Sequence, residues 1–217
     1  MIDLKLNLNR DRPLKVLCLG AHSDDIEIGC GGTVLRLINE YPGCQFHWVV
    51  FCALGIRRDE AQRGAEAFAG GERLEGLQLL EFADAFMPYH GEAVKRAFEE
   101  LKQSVSPDLI FTHYGHDAHQ DHRLLSELTW NTFRDHLILE YEIPKYDGDL
   151  GRPNVYVSLE PEIYTQKVDC LIHTFRSQST KHWFDRSTFL ALMRLRGMEC
   201  NAPSGYAEAF HGRKLVL

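Results

Sequence analysis

Two patterns of apolar residues alternate along this chain. Short continuous apolar runs are typical of strands buried on both faces, and longer segments with apolar residues three or four apart are typical of helices. The first pattern predicts strands at 16–20, 46–54, 76–82, 109–113, 137–142 and 155–159, with a last strand within 206–217. The second predicts helices at 26–40, 58–69, 92–104, 124–136, 161–176 and 187–196.

This alternation of strands and helices predicts an α/β protein, with a three-layer Rossmann-like fold and a mostly parallel sheet. The stretch 144–153 is rich in Gly, Pro and Asp and is therefore predicted to be a loop. Because no repeat, low-complexity tract or linker divides the sequence, we expect a single domain over residues 1–217.

Composition excludes several classes of function. The net charge of −7 comes without any basic cluster, so we expect no nucleic-acid partner. The charged, alternating start lacks the apolar core of a signal peptide, and no apolar run reaches the roughly 18 residues of a membrane span. Six cysteines form no CxxC pair, and several lie in apolar runs, which favours reduced thiols and a cytoplasmic location.

Two clusters of acids and histidines each follow a predicted strand. They are His22-Ser23-Asp24-Asp25, after the strand at 16–20, and His119-Gln120-Asp121-His122, after the strand at 109–113. Ligands of open parallel sheets bind beyond the carboxyl ends of the strands, so we expect both clusters at one site. Imidazole and carboxylate groups in threes suit a catalytic zinc with one position left for water, and ferrous iron accepts the same donors.

Each cluster also has a structural interpretation. The carboxylates at 24 and 25 are well placed to cap the helix predicted from Ile26. Histidines recur at 113, 116, 119 and 122, and spacing alone does not select a ligand among them; Asp117, Gln120 and Asp121 would suit a polar turn. The run Gly29-Cys30-Gly31-Gly32-Thr33 lacks the third glycine of a dinucleotide loop, because Val34 stands there, so we interpret it as allowing close packing or a tight helix entry.

These motifs resemble those of a known family. Ala21-His22-Ser23-Asp24-Asp25 with the glycine run that follows resembles the AHPDD…GxGGT opening of the PIG-L/LmbE-like N-deacetylases. The segment 119–123 is similar to their HxDH motif, and 57–61 to their RxEEA helix start; Ser177-Gln178 and 206–210 are weaker echoes. Ser23 replaces the family's usual proline, which makes the turn less rigid but removes no chemical group.

The resemblance implies a role for each matching residue. His22, Asp25 and His122 would bind the metal, Asp24 would be the general base, and His119 would stabilise the oxyanion. Asp121 would orient or charge His119, and Arg57 would contact substrate or the oxyanion. Since residues two apart do not face each other on a helix, the contact between 119 and 121 requires a loop or a first helical turn. For Arg57 the alternative is a surface arginine bridging Asp59 or Glu60.

The implied activity is zinc-dependent removal of an N-acetyl or similar acyl group from an amino sugar or its conjugate. The partner would be that small molecule, and a homo-oligomer stays open because members of the family often self-associate. The alternatives are a metal-dependent phosphoesterase, which often uses two metals, and a non-catalytic sugar- or nucleotide-binding module. Trp183, Phe184 and Tyr206 would form a sugar-binding wall or, more simply, core or subunit contacts, and the 141–153 stretch would shape specificity.

Overall fold

The computed structural model describes residues 12–215, which form seven strands and six α-helices, with three short 3-10 helices between them. The strands are β1 (Lys15–His22), β2 (Gln45–Cys52), β3 (Leu74–Leu79), β4 (Leu109–His113), β5 (Leu137–Tyr141), β6 (Val155–Ser158) and β7 (Ala207–Gly212). The helices are α1 (Asp25–Glu40), α2 (Ile56–Ala69), α3 (Gly91–Ser104), α4 (Gln120–Thr132), α5 (Pro161–Thr174) and α6 (Arg186–Glu199).

The strands form one sheet in the order β3-β2-β1-β4-β5-β7-β6. The first five of these are parallel neighbours, and β7 runs antiparallel to both β5 and β6. Side chains of α1, α2, α5 and α6 pack in the core on one face of the sheet, and those of α3 and α4 pack on the other. The predicted three-layer α/β fold with a mostly parallel sheet is therefore confirmed.

The sheet order places the candidate residues. After β1 the chain moves outward to β2 and β3, then returns to pair β4 with the other side of β1. A crevice opens beyond the carboxyl ends of strands where the order reverses in this way. His22 ends β1 and His113 ends β4, so the two clusters lie on either side of this crevice.

Most predicted elements lie within a few residues of the observed ones, and β4 has the predicted bounds. Helix α4 differs most, because it begins at Gln120 rather than at 124. The His119 side chain accepts a hydrogen bond from the backbone N–H of Asp121 and so caps the helix earlier than its apolar spacing indicates. The predicted last strand is β7; residues 216–217 of its range, like the alternating start at 1–11, lie outside the described residues.

The glycine run of the first motif lies inside α1 and packs closely. A Cβ on Gly29 would lie 2.2 Å from Cδ2 of Tyr141, and one on Gly31 would lie 2.5 Å from Cε1 of Phe68. These distances are shorter than any ordinary van der Waals contact, so the helix approaches its neighbours only because these positions lack side chains. The interpretation as close packing is confirmed, and the helix entry lies four residues earlier, at Asp25.

The same helix is held by a buried ion pair that no sequence pattern predicts. The Glu208 carboxylate in β7 accepts hydrogen bonds from the backbone N–H groups of Gly32 and Thr33, at 2.8 and 2.6 Å. Lys167 in α5 donates to Glu208 at 2.6 Å and to the carbonyl of Ile28 at 2.6 Å. Paired and hydrogen-bonded in this way, the two charges tolerate burial and join α1, α5 and β7.

Two observations bear on the composition. All six cysteines carry free thiols. Among the helices at 12–215, none is long and apolar enough to cross a membrane.

The contact at Gly29 predicts a stability difference between two glycine substitutions. Gly29→Ala forces a methyl group into the ring of Tyr141 and should lower the free energy of unfolding by about 1–3 kcal/mol. Gly43→Ala is the matched control, because a Cβ there meets nothing within 4 Å. Urea denaturation measures both, and equal stabilities of the two variants would contradict this account of the motif.

Candidate metal centre and active site

The two clusters come together through the ends of neighbouring elements. Asp25 is the first residue of α1, directly after the turn that follows His22 at the end of β1. His119 is the cap of α4, and His122 is in its first turn. Because β1 and β4 are paired, the starts of these two helices face each other across the crevice.

Three donor atoms of the predicted metal ligands form a small triangle. His22 Nδ1 lies 3.1 Å from His122 Nε2 and 3.2 Å from Asp25 Oδ2. The third side, from His122 Nε2 to Asp25 Oδ2, is 3.4 Å. Ligands about 2.0–2.2 Å from a tetrahedral zinc lie roughly 3.3–3.5 Å from one another, so one ion fits this triangle.

The triangle opens onto a cleft of about 510 Å³, which leaves room for a fourth ligand and a substrate. Six of the seven predicted site residues line this cleft, namely His22, Asp24, Asp25, Arg57, His119 and His122. The seventh, Asp121, is fully buried beneath it. Three protein donors beside an open position are the arrangement of a catalytic metal rather than a structural one.

Asp25 is held in place by its own backbone and by histidines. Its Oδ2 accepts a hydrogen bond from the backbone N–H of His22 at 2.6 Å. Burial alone would raise the pKa of Asp25, but the surrounding histidines, above all His122, hold that pKa well below its usual range. The surroundings therefore favour the ionised carboxylate, which is the form that binds a metal.

A second carboxylate faces the far side of the His122 ring. Asp117, only 2% exposed, has its Oδ2 3.0 Å from His122 Nδ1 and 2.9 Å from the ammonium of Lys145. Burial opposes ionisation of Asp117, but the contact with His122 outweighs it and lowers the pKa of Asp117. A carboxylate at Nδ1 fixes the proton there and leaves Nε2 free to bind metal. The sequence suggested only a polar turn for Asp117.

The structure distinguishes among the four histidines spaced three apart. His116 is exposed. His113 is fully buried, and its Nε2 accepts the backbone N–H of Ala21 at 3.0 Å, so the lone pair facing Asp25 is already in use. Burial lowers the pKa of His113 to about 4, which keeps the ring neutral. Although His113 lies within metal-binding distance of Asp25 and His122, its contacts are those of a structural residue.

His119 is oriented as a hydrogen-bond donor. Its Nδ1 accepts the backbone N–H of Asp121 at 3.2 Å, so the neutral ring carries its proton on Nε2. Burial lowers the pKa of His119, which favours that neutral form. Binding a metal through Nε2 would move the proton to Nδ1 and break the helix cap. The requirement that residues 119 and 121 meet at a helix start is thus satisfied.

The contact from Asp121 to His119 comes through the backbone, whereas we expected it from the carboxylate. The carboxylate of Asp121 accepts the backbone N–H groups of Ala85 and Met87, at 2.7 and 3.2 Å. Its Oδ2 also lies 3.4 Å from His22 Nε2. The side chain therefore holds a neighbouring turn and faces a metal-ligand candidate.

The two aspartates of the first cluster face different partners. Asp24, 3% exposed, stands at the cap position of α1 without a capping hydrogen bond, and its Oδ1 instead accepts Arg57 Nη2 at 2.5 Å. Its Oδ2 is buried without a hydrogen-bond partner among residues 12–215. Burial raises the pKa of Asp24, and Arg57 offsets only part of that rise. A carboxylate with one oxygen fixed and the other free is suited to accept a proton.

Arg57 belongs to a buried network rather than to the surface. Its Nη1 donates to Glu60 Oε2 at 3.2 Å, which is one of the contacts expected of a surface arginine. Its Nη2, however, donates to the buried carboxylate of Asp24. Glu60, 1% exposed, accepts the backbone N–H and the hydroxyl of Ser177 at 2.8 and 2.6 Å. The RxEEA-like and Ser177-Gln178 segments therefore meet, and together they fix the guanidinium against the Asp24 carboxylate.

Another carboxylate, Asp84, lies at the lip of the cleft and was not predicted from the sequence. It lies in the turn between β3 and α3, with its Oδ1 2.9 Å from His22 Nε2. The close approach of the His22 ring is the main reason that the pKa of Asp84 falls to about 2. No pattern in the sequence marks this residue, because its position depends on contacts made by the turn.

The three aromatic residues considered as a sugar-binding wall divide between two places. Trp183 lines the cleft, with the ammonium of Lys181 5.5 Å from its ring centre. Phe184 is buried in the core, and Tyr206 packs on Tyr164 with ring centres 4.2 Å apart. The 141–153 stretch also contributes to the cleft, through residues 143 and 145–147.

Comparison with known proteins identifies the family. The model of the GlcNAc-PI de-N-acetylase family, PIG-L, matches residues 17–133, which contain both acid–histidine clusters. This chain belongs to the PIG-L family. The uncharacterized deacetylase YaiS of Escherichia coli is 28% identical over 183 residues, covering 79% of this chain and 96% of its own.

Solved structures share the PIG-L fold over nearly the whole chain. The N,N'-diacetylchitobiose deacetylase of Pyrococcus horikoshii superposes with a TM-score of 0.72 at 22% identity, covering 92% of this chain and 83% of that one. GalB, the 4-carboxy-2-hydroxymuconate hydratase of Pseudomonas putida KT2440, gives a TM-score of 0.74 at 16% identity, covering 94% and 98%. Since one of these is a deacetylase and the other a hydratase, the fold alone does not fix the reaction.

The triangle predicts which histidine of the second cluster binds metal. His122→Ala should lose bound zinc after dialysis, because it removes one of three donors. His116→Ala, an exposed control from the same series of histidines, should keep it. Elemental analysis of the purified variants measures both; retention of zinc by His122→Ala would exclude this ligand set.

Proposed function

We propose that this protein is a zinc-dependent N-deacetylase that removes an acetyl or similar acyl group from an amino sugar or amino-sugar conjugate. The observation that carries the proposal is the triangle of His22 Nδ1, Asp25 Oδ2 and His122 Nε2 beside the free oxygen of Asp24. Membership of a family described by GlcNAc-PI de-N-acetylation supports both the reaction class and an amino-sugar substrate. The likeness to a diacetylchitobiose deacetylase agrees with that substrate class.

His22, Asp25 and His122 would hold the metal, and two neutral imidazoles with one carboxylate suit zinc or ferrous iron. A bound divalent metal supplies Lewis acidity, which lowers the pKa of water from about 16 towards roughly 7 and polarises a carbonyl. Asp117 contributes by fixing the proton of His122 on Nδ1.

Asp24 acts as the general base in this proposal. Its free Oδ2 takes a proton from the attacking water and afterwards delivers it to the amine nitrogen that leaves. Arg57 keeps the other oxygen fixed, so the reactive oxygen stays directed to one place. An amide needs both transfers, since water is a weak nucleophile and an amine anion is a poor leaving group.

His119 stabilises the negative charge that develops on the carbonyl oxygen. With Nδ1 occupied by the Asp121 amide, the N–H at Nε2 is the donor available to that oxygen. A fixed donor of this kind typically contributes about 10²–10³ in rate. The neutral ring is sufficient, so Asp121 contributes orientation through its backbone rather than charge.

The contacts favour one metal centre over the two of many phosphoesterases. Within residues 12–215, the group formed by His22, His119 and His122 shares residues with each of the two other groups of histidines and acids close enough to bind metal. Overlapping groups describe one centre with alternative donors, and the cap at His119 argues against its use as a ligand.

Asp24 provides the test of the mechanism. Asp24→Asn should keep its zinc, because Asp24 is not among the three donors, and should lose about 10²–10⁴ in kcat for acetate release from N-acetylated chitobiose or glucosamine. Asp135→Asn, which changes an acid whose side chain is 92% exposed and does not line the cleft, should leave the rate within a factor of about two. Zinc content and acetate release are measured on the same preparations. Full turnover by zinc-loaded Asp24→Asn would exclude Asp24 as the base.

Trp183 provides a test of the substrate site. Trp183→Ala removes an aromatic face of the cleft and should raise KM about three- to tenfold, from roughly 1 kcal/mol of ring contact, with kcat little changed. Tyr89→Ala removes an aromatic side chain that is 80% exposed elsewhere and serves as control. Steady-state kinetics with a disaccharide substrate separates the two, and an unchanged KM in Trp183→Ala would place the substrate elsewhere.

A further inference from the structure

The turn that carries Asp84 is held in a conformation that its sequence does not favour. Ala85, the next residue, has a φ of 67°, in the left-handed region that a side chain makes unfavourable. Three hydrogen bonds from α4 hold it there. The Asp121 carboxylate accepts the N–H groups of Ala85 and Met87 at 2.7 and 3.2 Å, and the Gln120 amide donates to the Ala85 carbonyl at 3.1 Å.

This conformation places a carboxylate on the ring of one metal-ligand candidate. Asp84 Oδ1 lies 2.9 Å from His22 Nε2, and the buried Asp121 Oδ2 lies 3.4 Å from the same nitrogen. The other nitrogen, Nδ1, belongs to the metal triangle. Two carboxylates, those of Asp84 and Asp121, therefore lie beside Nε2, whereas Nδ1 faces one carboxylate, Asp25, and the ring nitrogen of His122.

A neutral imidazole carries one proton and can place it on either nitrogen. A proton on Nε2 is stabilised by the adjacent carboxylates, and it leaves the lone pair of Nδ1 free for a metal. A proton on Nδ1 would block the metal and turn the Nε2 lone pair towards negative charge. With two carboxylates at Nε2 and only Asp25 at Nδ1, the surroundings favour the form of His22 that binds metal.

We propose that Asp84 is a positioning residue that selects the metal-binding tautomer of His22, and that Asp121 holds the strained turn that presents it. This inference rests on the proposed metal centre. It assigns to Asp84 a role in metal affinity, although its side chain is 73% exposed and lies outside both sequence motifs. Carboxylates in this position behind a metal-bound histidine typically account for about 10- to 100-fold in affinity.

Zinc affinity measured by competition with a chromophoric chelator tests the inference on the full chain. Asp84→Ala should weaken zinc binding about 10- to 100-fold. Asp84→Asn should weaken it less, because the amide oxygen still accepts the Nε2–H hydrogen bond without the charge. Asp147→Asn is the matched control, since it removes an exposed acid of the same cleft that does not contact His22, and its zinc affinity should equal that of the wild type.

A second readout follows the tautomer itself. Long-range 1H–15N spectra of histidine-labelled protein report which ring nitrogen of His22 is protonated, with His22→Gln identifying its signals. Zinc-loaded wild type should show the proton on Nε2, and Asp84→Ala should show exchange between forms before zinc is added.

The outcomes separate this inference from the proposed function. A wild type that binds zinc and releases acetate, together with an Asp84→Ala variant of equal zinc affinity, would overturn the role of Asp84 and leave the function standing. Equal losses of affinity in Asp84→Ala and Asp147→Asn would also overturn it, because general electrostatics would then explain both. A wild type without zinc affinity would overturn the metal centre and this inference together.

Discussion

The structure depends on a buried carboxylate, Asp25, that three imidazole nitrogens approach within 3.4 Å. Removing such a group from water is costly unless a cation or a set of hydrogen bonds compensates it. One N–H group, from His22, supplies part of that compensation, and a divalent ion between the donors would supply the rest. The pairing of β1 with β4 brings these atoms together, so the sheet order is itself part of the site.

Neighbouring residues of the same type differ in role because their surroundings differ. Asp25 faces histidines and is held ionised, whereas Asp24 faces Arg57 with one oxygen and leaves the other unpartnered among the described atoms. His122 has a carboxylate at Nδ1 and directs Nε2 to the triangle, while His119 uses Nδ1 to cap a helix and keeps a proton on Nε2. Ligand and acid–base roles thus follow from which atom of each ring or carboxylate is already occupied.

The sequence was most informative where one local rule decides the structure. The strand at 109–113 was predicted with its observed bounds because a short apolar run follows Pro107-Asp108. The glycine run was interpreted as close packing because it lacks the third glycine of a dinucleotide loop, and in the structure a Cβ at Gly29 would meet Tyr141. The contributions of Asp84, Asp117 and Glu60 could not be predicted in this way. Each acts through a turn or side chain whose position is set by residues far away in sequence, such as Asp121 for the turn at Asp84. The early start of α4 could not be predicted from the sequence either, because its cap is His119 and histidine is not a typical helix cap.

X-ray absorption at the zinc edge of the zinc-loaded protein tests the central claim most directly, because it counts the ligands and measures their distances. The account predicts four light-atom ligands at about 2.0–2.1 Å, two of them imidazoles, with one oxygen that is displaced when acetate or another small anion is added. A centre with three or more imidazoles, with sulfur, or with no displaceable ligand would contradict it.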